Sequence, residues 1–397
     1  MIARVAMSST ADAFPPLDFD VFHRVDLSAR CTSAAGRAAA RDTGDAAPIA
    51  FRLPDGRAYR FSSTGEEIEI APGDHAPVVV DLDASAWADF VRELHTAAGL
   101  FYGGHLRRSP DVYPALERWE PALRALFCGR PIYDPARCDL RGRDGSALEI
   151  GRSFAPDDET SDLRDFLHAT GYLHVRSVFD RGEIARLVAL VERFEAAARP
   201  GDGTSWWTKR GDGAGDVLCR LIYLGMRAPE VAALDADPRI ARFASLGGEP
   251  LVSAVDRADG HTVVIKVPGA VAGLADLPWH RDCGLGGHPV TCPTLIVGIQ
   301  LDAASAGTGQ LKFLAGSWRA SCHRRDLERA AGAIAAIVAE PGDVTVHFGD
   351  VLHAAPPPTG TGRGRRTLYF SFVPPRALEF IGPLQSYNDV IRARVGG

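Results

Sequence analysis

Pro278-Trp279-His280-Arg281-Asp282, in the stretch 266–366, decides how the chain is read. Residues two apart in a β-strand point to the same face, so His280 and Asp282 can present an imidazole and a carboxylate side by side. A third ligand is available downstream in Asp350-Val351-Leu352-His353. Two histidines and one carboxylate on one face of a metal ion leave three positions open, an arrangement suited to Fe(II). Taken alone the pair is almost uninformative. With 12 His and 50 Asp+Glu in 397 residues, roughly 1.5 His-x-acid matches arise by chance. Its weight comes from what surrounds it.

Upstream, Val263-Val264-Ile265 reads as a buried strand leading into Lys266-Val267-Pro268-Gly269. Downstream of a Gly-rich loop, Thr294 to Leu301 is a strand, and Ala306 to Leu314 a turn and strand. Gly316-Ser317-Trp318 is a tight turn, and residues 326–339 a less regular helix. Pro341-Gly342-Asp343 opens a strand through Phe348, with His353 just past its end. Arg365 to Val373 alternates as a strand and is stopped by Pro374-Pro375. Short strands joined by Gly-rich turns indicate a double-sheet jelly roll. His347 competes with His353 as third ligand, and His353 is preferred for its position relative to Pro341-Gly342-Asp343. His261, His288 and His323 read as ordinary histidines. Arg281 either contacts substrate or stiffens the sheet.

The N-terminal third has a different character. Ile49 to Leu53 and Ala58 to Phe61 flank the turn Pro54-Asp55-Gly56, a β-hairpin pattern. Glu67-Ile68-Glu69-Ile70 and Val78 to Leu82 continue as strands. A helix follows, with Trp87, Val91 and Leu94 at helical spacing and Ser85 as its N-cap. Residues 33–47 are a short helix or a linker, and 137–158 read as an interdomain linker. A helix beginning near Asp162 is stopped by Gly171. Ile184, Leu187, Val188, Val191 and Phe194 form the apolar face of the next. Pro200 to Gly215 reads as a loop whose Trp206-Trp207 pair is a lid or a packed flap. Val217 to Ala244 reads as mainly helical.

Composition narrows the function classes. A hydrophobic share of 46% is enough for more than one core. Net charge is -6, with no basic field to suggest nucleic acid or anionic membrane. Seven scattered cysteines without a CxxC pair suggest reduced thiols in a cytoplasmic protein. No apolar span approaches transmembrane length, so stable membrane insertion is not expected.

The order of strand, Lys266-x-Pro268-Gly269, His280-x-Asp282, Pro341-Gly342-Asp343 strand, His353 and a basic strand opening resembles the phytanoyl-CoA dioxygenase family over about 160–380. Gly171-Tyr172-Leu173 and the helix beginning Glu183-Ile184 look like that family's start. The resemblance implies Fe(II) and 2-oxoglutarate as cofactors, with His280, Asp282 and His353 as the iron ligands. Arg365 matches the arginine that holds the far carboxylate of 2-oxoglutarate, and Arg366 is its rival, because one step along a strand flips the face. Lys266 matches a position near the cosubstrate. Gly316-Ser317-Trp318 departs from the family's Gly-Ser-His, in a turn read as structural. The implied reaction consumes O₂ and 2-oxoglutarate, releases succinate and CO₂, and hydroxylates an unactivated C–H bond. Related halogenases lack the carboxylate, so Asp282 favours hydroxylation, while desaturation, epimerisation and cyclisation stay open.

Residues 45–130 resemble a sterol-carrier-protein-2-like domain, which implies an apolar tunnel for acyl or sterol-like molecules. A scaffold without a cavity is the equal alternative. The expected class is α+β: segment 1–45, a small α+β domain at 46–136, a linker at 137–160, and a jelly roll with flanking helices at 161–397. The expected substrate is a lipid-like, acyl or small secondary-metabolite molecule. The rival from another class is a lipid carrier whose oxygenase half is a scaffold.

Overall fold

The computed structural model describes residue 14 and residues 16–106, 111–211, 213, 215–270, 277–284, 293–323, 327, 329–360 and 364–384. The first residues of the chain, and most of the Gly-rich loop with His288 and Cys292, lie outside the described residues.

The hairpin forms where Gly56 can supply a positive φ of 89° in the turn. It joins β1 (Ile49–Arg52) to β2 (Ala58–Ser63), with β3 (Ile68–Pro72) beyond and β4 (Val78–Asp81) parallel to β1, in the order β3-β2-β1-β4. The next helix, Ala84–Val91, is capped by Asp83 and not by Ser85. Asp83 leaves the strand in an extended conformation, so its carboxylate reaches the Ala86 amide at 2.7 Å. Leu94 lies past the helix end but is buried. Within 33–47, Ala34–Thr43 is a helix capped by Ser33. The interior of this part is filled with rings. Trp87 and Trp119 are fully buried, Phe19 meets Trp87 edge-on at 4.8 Å, and Phe61 meets Phe127 at 6.4 Å.

Further on, helix Thr160–Thr170 ends at Gly171, whose φ of 94° only glycine adopts readily. A Cβ there would also come within 2.8 Å of Val351. Strand β5 (Tyr172–Val175) follows, then helix Arg181–Ala197 with a full capping box between Asp180 and Glu183. The segment expected as a loop contains β6 (Ser205–Lys209), and the segment expected as helical begins with β7 (Asp216–Leu221). Burial on a formed sheet explains both corrections. Trp206 and Thr208 are buried on one face of β6, while in β7 a register shift opposite Trp206 and Trp207 sends Cys219 to the cluster of Trp206 and Leu221 to the larger core. Pairing at the sheet edge then satisfies their backbone. Only the short helices Leu224–Arg227, Pro229–Ala232 and Pro238–Ala244 fit the helical expectation.

The remaining strands are β8 (Val252–Ser253), β9 (Thr262–Lys266), β10 (Leu277–His280), β11 (Leu295–Gln300), β12 (Lys312–Leu314), β13 (Ile334–Ala336), β14 (Val344–Phe348), β15 (His353–Ala355) and β16 (Arg365–Val373). They form two antiparallel sheets. The larger runs β5-β14-β11-β16-β9-β7-β6, with β8 on β16, and the smaller runs β10-β15-β12-β13. The helix expected over 326–339 gives way, among the described residues, to a 3₁₀ turn at Ala331–Ala333 and to β13. Pairing of Ala336 with Lys312 draws that segment into the smaller sheet. Val297, Val346 and Phe370 from one sheet share a hydrophobic cluster with Phe313 and Ala335 from the other. This mixed α/β architecture is consistent with a jelly roll. Among the described residues no helix is long and apolar enough to cross a membrane.

Candidate active site

β10 and β15 run antiparallel with His280 opposite His353, which brings the two ring centroids to 4.3 Å. Asp282 is not on that strand. The chain turns after His280, because the Gly349 carbonyl accepts from the Asp282 amide at 2.8 Å. The turn still delivers the carboxylate. Asp282 Oδ1 lies 3.6 Å from His280 Nε2 and 3.7 Å from His353 Nε2. Ligand atoms of all three residues fall within 4.8 Å of one another. His280 Nδ1 donates to the Pro278 carbonyl at 2.6 Å, and His353 Nδ1 to the Val351 carbonyl at 3.0 Å. Those carbonyls fix the proton on Nδ1 and leave each Nε2 with a lone pair for a metal.

The electrostatics suit the same use. Enclosure alone would raise the Asp282 pKa, but His353, His280 and His347 hold it well below the usual carboxylate range. Burial pushes His353 down to about 3, with His280 and His347 adding to the effect against the pull of Asp282. Both groups are therefore unprotonated at neutral pH, the form in which they bind metal. Two imidazole nitrogens and one carboxylate oxygen are a donor set that fits Fe(II). His347 of β14 adds a contact that sequence reading did not assign, its Nε2 lying 3.2 Å from Asp282 Oδ2. The available signal was alternation, since Thr345 and His347 share one face of β14.

The two arginines of β16 point opposite ways. Arg366 faces Asp302, with Nε at 2.7 Å and Nη2 at 3.0 Å, and reaches Glu192 at 3.4 Å. Arg365 shares a face with Tyr369 and Ser371, which line the cavity above the triad. It is fully buried, and donates from Nε to the Gly309 carbonyl at 2.9 Å and from Nη1 to Thr367 Oγ1 at 2.6 Å. Its Nη2 is buried with no hydrogen-bond partner. A buried donor in that state is unfavourable until an acceptor arrives, and a carboxylate fits it. Gly309 makes the turn possible, with φ 77° and only 2.3 Å between a would-be Cβ and the Pro356 carbonyl. Lys266 pairs opposite Arg365 across β9 and β16, is fully buried, and donates to the Ala355 carbonyl.

Beside the triad is a cavity of about 780 Å³. Trp279, His280, Asp282 and His353 line it from the jelly roll, and Tyr113 and Glu117 from helix Val112–Cys128 of the N-terminal part. This joint construction was not legible in the sequence. Polar contacts between side chains and across backbones tie the parts together. Among them, Arg130 forms a buried ion pair with Asp350, Thr96 Oγ1 donates to the Gly284 carbonyl at 2.7 Å, and His323 lies 2.9 Å from Asp42. Arg281 stiffens the site, donating to the carbonyls of Ser317 (3.1 Å), Ala320 (2.7 Å) and Asp350. Enclosure would raise the Asp350 pKa, but Arg130 and Arg281 keep it below the usual range.

Arg130→Met is expected to lower unfolding stability by about 3 kcal/mol in urea titrations, because it strands part of the buried Asp350 charge. The residual pair to Arg281 at 3.5 Å keeps the loss at the low end of that class. A loss below about 1 kcal/mol would place this pair with solvent-exposed ones.

Solved structures resemble this fold at modest levels. AviO1 from Streptomyces viridochromogenes Tue57 is 24% identical, with 55% of this chain and 96% of that chain covered and a TM-score of 0.45. The non-haem alpha-ketoglutarate-dependent carbocyclase SnoK from nogalamycin biosynthesis is 20% identical, with 56% and 87% covered and a TM-score of 0.43. EctD from S. alaskensis, solved with 2-oxoglutarate and 5-hydroxyectoine, is 20% identical, with 62% and 82% covered and a TM-score of 0.45. Comparison with curated protein sequences finds no match. The phytanoyl-CoA dioxygenase (PhyH) family model matches residues 167–367, about half of the chain, and the protein belongs to that family of iron- and 2-oxoglutarate-dependent oxygenases.

Proposed function

We propose that this enzyme hydroxylates an unactivated C–H bond of a small molecule, with His280, Asp282 and His353 holding Fe(II) and Arg365 holding 2-oxoglutarate. The observation that carries the reading is the convergence of two imidazole Nε2 atoms and Asp282 Oδ1 at the base of a cavity of about 780 Å³. Bound iron and 2-oxoglutarate supply the oxidising chemistry, with O₂ consumed and succinate and CO₂ released. The protein's own part is positioning. The Pro278 and Val351 carbonyls orient the two histidines, and the Gly349 carbonyl fixes the Asp282 backbone by accepting from the Asp282 amide. Arg365, with one donor unspent, takes the far carboxylate of the 2-oxoacid, while Lys266 adds positive charge beside it. Arg366, neutralised by Asp302, is left to structure.

The cavity volume suits a small ligand. Glu117, Arg220, Arg257 and Asp259 on its lining favour a substrate with polar groups over a plain acyl chain. The ring-filled N-terminal interior likewise favours a part that walls the active site over a lipid tunnel, whatever its likeness to sterol carrier protein 2. On this reading residues 46–136 and 161–397 are two units joined by 137–160 and working on one cavity.

The test is anaerobic addition of Fe(II) and 2-oxoglutarate, which should give the weak visible charge-transfer band of the chelate. Absence of the band removes the reading and leaves a carrier with an oxygenase scaffold. Succinate release across a panel of polar and acyl compounds, followed by product analysis, separates hydroxylation from desaturation, epimerisation or cyclisation.

A further inference from the structure

We propose that His347 is a positioning residue for the metal site: it holds the outer oxygen of Asp282, so that the carboxylate offers a single oxygen to the ion. The inference rests on the ligand assignment above and concerns a residue outside it. The two oxygens of Asp282 have different surroundings. Oδ1 faces the Nε2 atoms of His280 and His353 at 3.6 and 3.7 Å, and Oδ2 faces His347 Nε2 at 3.2 Å.

His347 is placed to hold that contact. It is 2% exposed, sits on β14 between Tyr172 of β5 and Ile296 of β11, and packs against the Phe313 ring at 5.2 Å. Its hydrogen bonding is the reverse of that of the two ligand histidines. They spend Nδ1 on backbone carbonyls and keep Nε2 for a metal. His347 Nδ1 is buried with no partner, and Nε2 is the engaged atom. A neutral imidazole donates from one nitrogen only, so a bond to Oδ2 requires the proton on Nε2. That tautomer makes His347 a donor to the carboxylate and not a ligand through Nε2.

The consequence concerns open positions. A carboxylate released from its outer donor can turn both oxygens to a metal, as carboxylates do in bidentate sites. It would then occupy a position that a bidentate 2-oxoacid and O₂ need. Partners of this kind typically change metal affinity ten- to a hundredfold.

The test compares His347→Phe with His347→Gln in the full-length protein. Phenylalanine keeps the packing against Phe313 and removes the donor, whereas the glutamine amide keeps a donor near the position of Nε2. Mn(II) affinity without oxygen chemistry, the Fe(II)–2-oxoglutarate band and the metal-free melting temperature are read for each. The expected result is Mn(II) binding about ten- to a hundredfold weaker, with a shifted or weakened band, in H347F, and affinity within about threefold of wild type in H347Q. Unchanged affinity and band in H347F overturn the proposal. Equal loss in both variants also overturns it, since the imidazole itself would then be needed. If H347F melts far below wild type, His347→Leu serves as the donorless variant under the same criteria. A wild-type protein that binds no Mn(II) overturns the ligand assignment beneath, a result distinct from either.

Discussion

Replacing His353 with alanine is expected to remove the Fe(II)–2-oxoglutarate band and turnover together. The residue is 4% exposed and directly opposite His280 across β10 and β15, so its place is set by a strand pair. His347 is the nearest imidazole, but its Nε2 is engaged with Asp282 and its strand is fixed between β5 and β11. Loss of an outer partner lowers metal affinity ten- to a hundredfold, so loss of a ligand should exceed that and reach about 10³-fold. Metal titration of the variant, with its metal-free melting curve as a folding control, checks this. Retention of wild-type affinity in a folded H353A would return His347 to the role of third ligand.

The second large effect separates the two arginines. Arg365→Lys is expected to weaken 2-oxoglutarate binding by about 100-fold, since an ammonium on a flexible stem cannot keep the Gly309 and Thr367 contacts and also present a fixed donor where Nη2 lies. The Nε and Nη1 atoms of Arg365 are held by Gly309 and Thr367, so the fork is already set and only Nη2 lacks an acceptor. Arg366→Met should leave 2-oxoglutarate affinity within a few-fold and instead lower unfolding stability by about 2 kcal/mol, with Asp302 left unpaired and partly exposed. Titration of the band with 2-oxoglutarate, beside denaturant unfolding, reads both. Were R366M to lose the cosubstrate and R365K to keep it, the assignment would reverse.

Local pattern made much of the molecule readable. Strands β1, β2, β9, β11, β14 and β16 were visible because alternation and Gly or Pro punctuation act over a few residues. Helix Arg181–Ala197 was visible from its apolar stripe and its Asp180 start. Errors fell where sheet pairing overrode local preference. β6 and β7 looked like loop and helix, and β13 like helix, until edge pairing with a formed sheet captured their backbones.

The same division runs through the site. His280, Asp282, His353 and the Arg365-Arg366 pair could be named from the sequence because their order and spacing are one-dimensional facts. Their convergence depended on more. Asp282 reaches Oδ1 into place from a turn pinned by Gly349, and Arg365 differs from Arg366 only by the side of β16 on which each lies. Nothing local could place Tyr113 and Glu117 on the cavity, or set Arg130 against Asp350, 220 residues away. Contacts at such separation are fixed by how two cores pack, and the chain order carries no trace of that packing. The sequence by itself determined the order and spacing of the candidate donors His280, Asp282 and His353, and tertiary structure decided which faces meet and what walls the space between them.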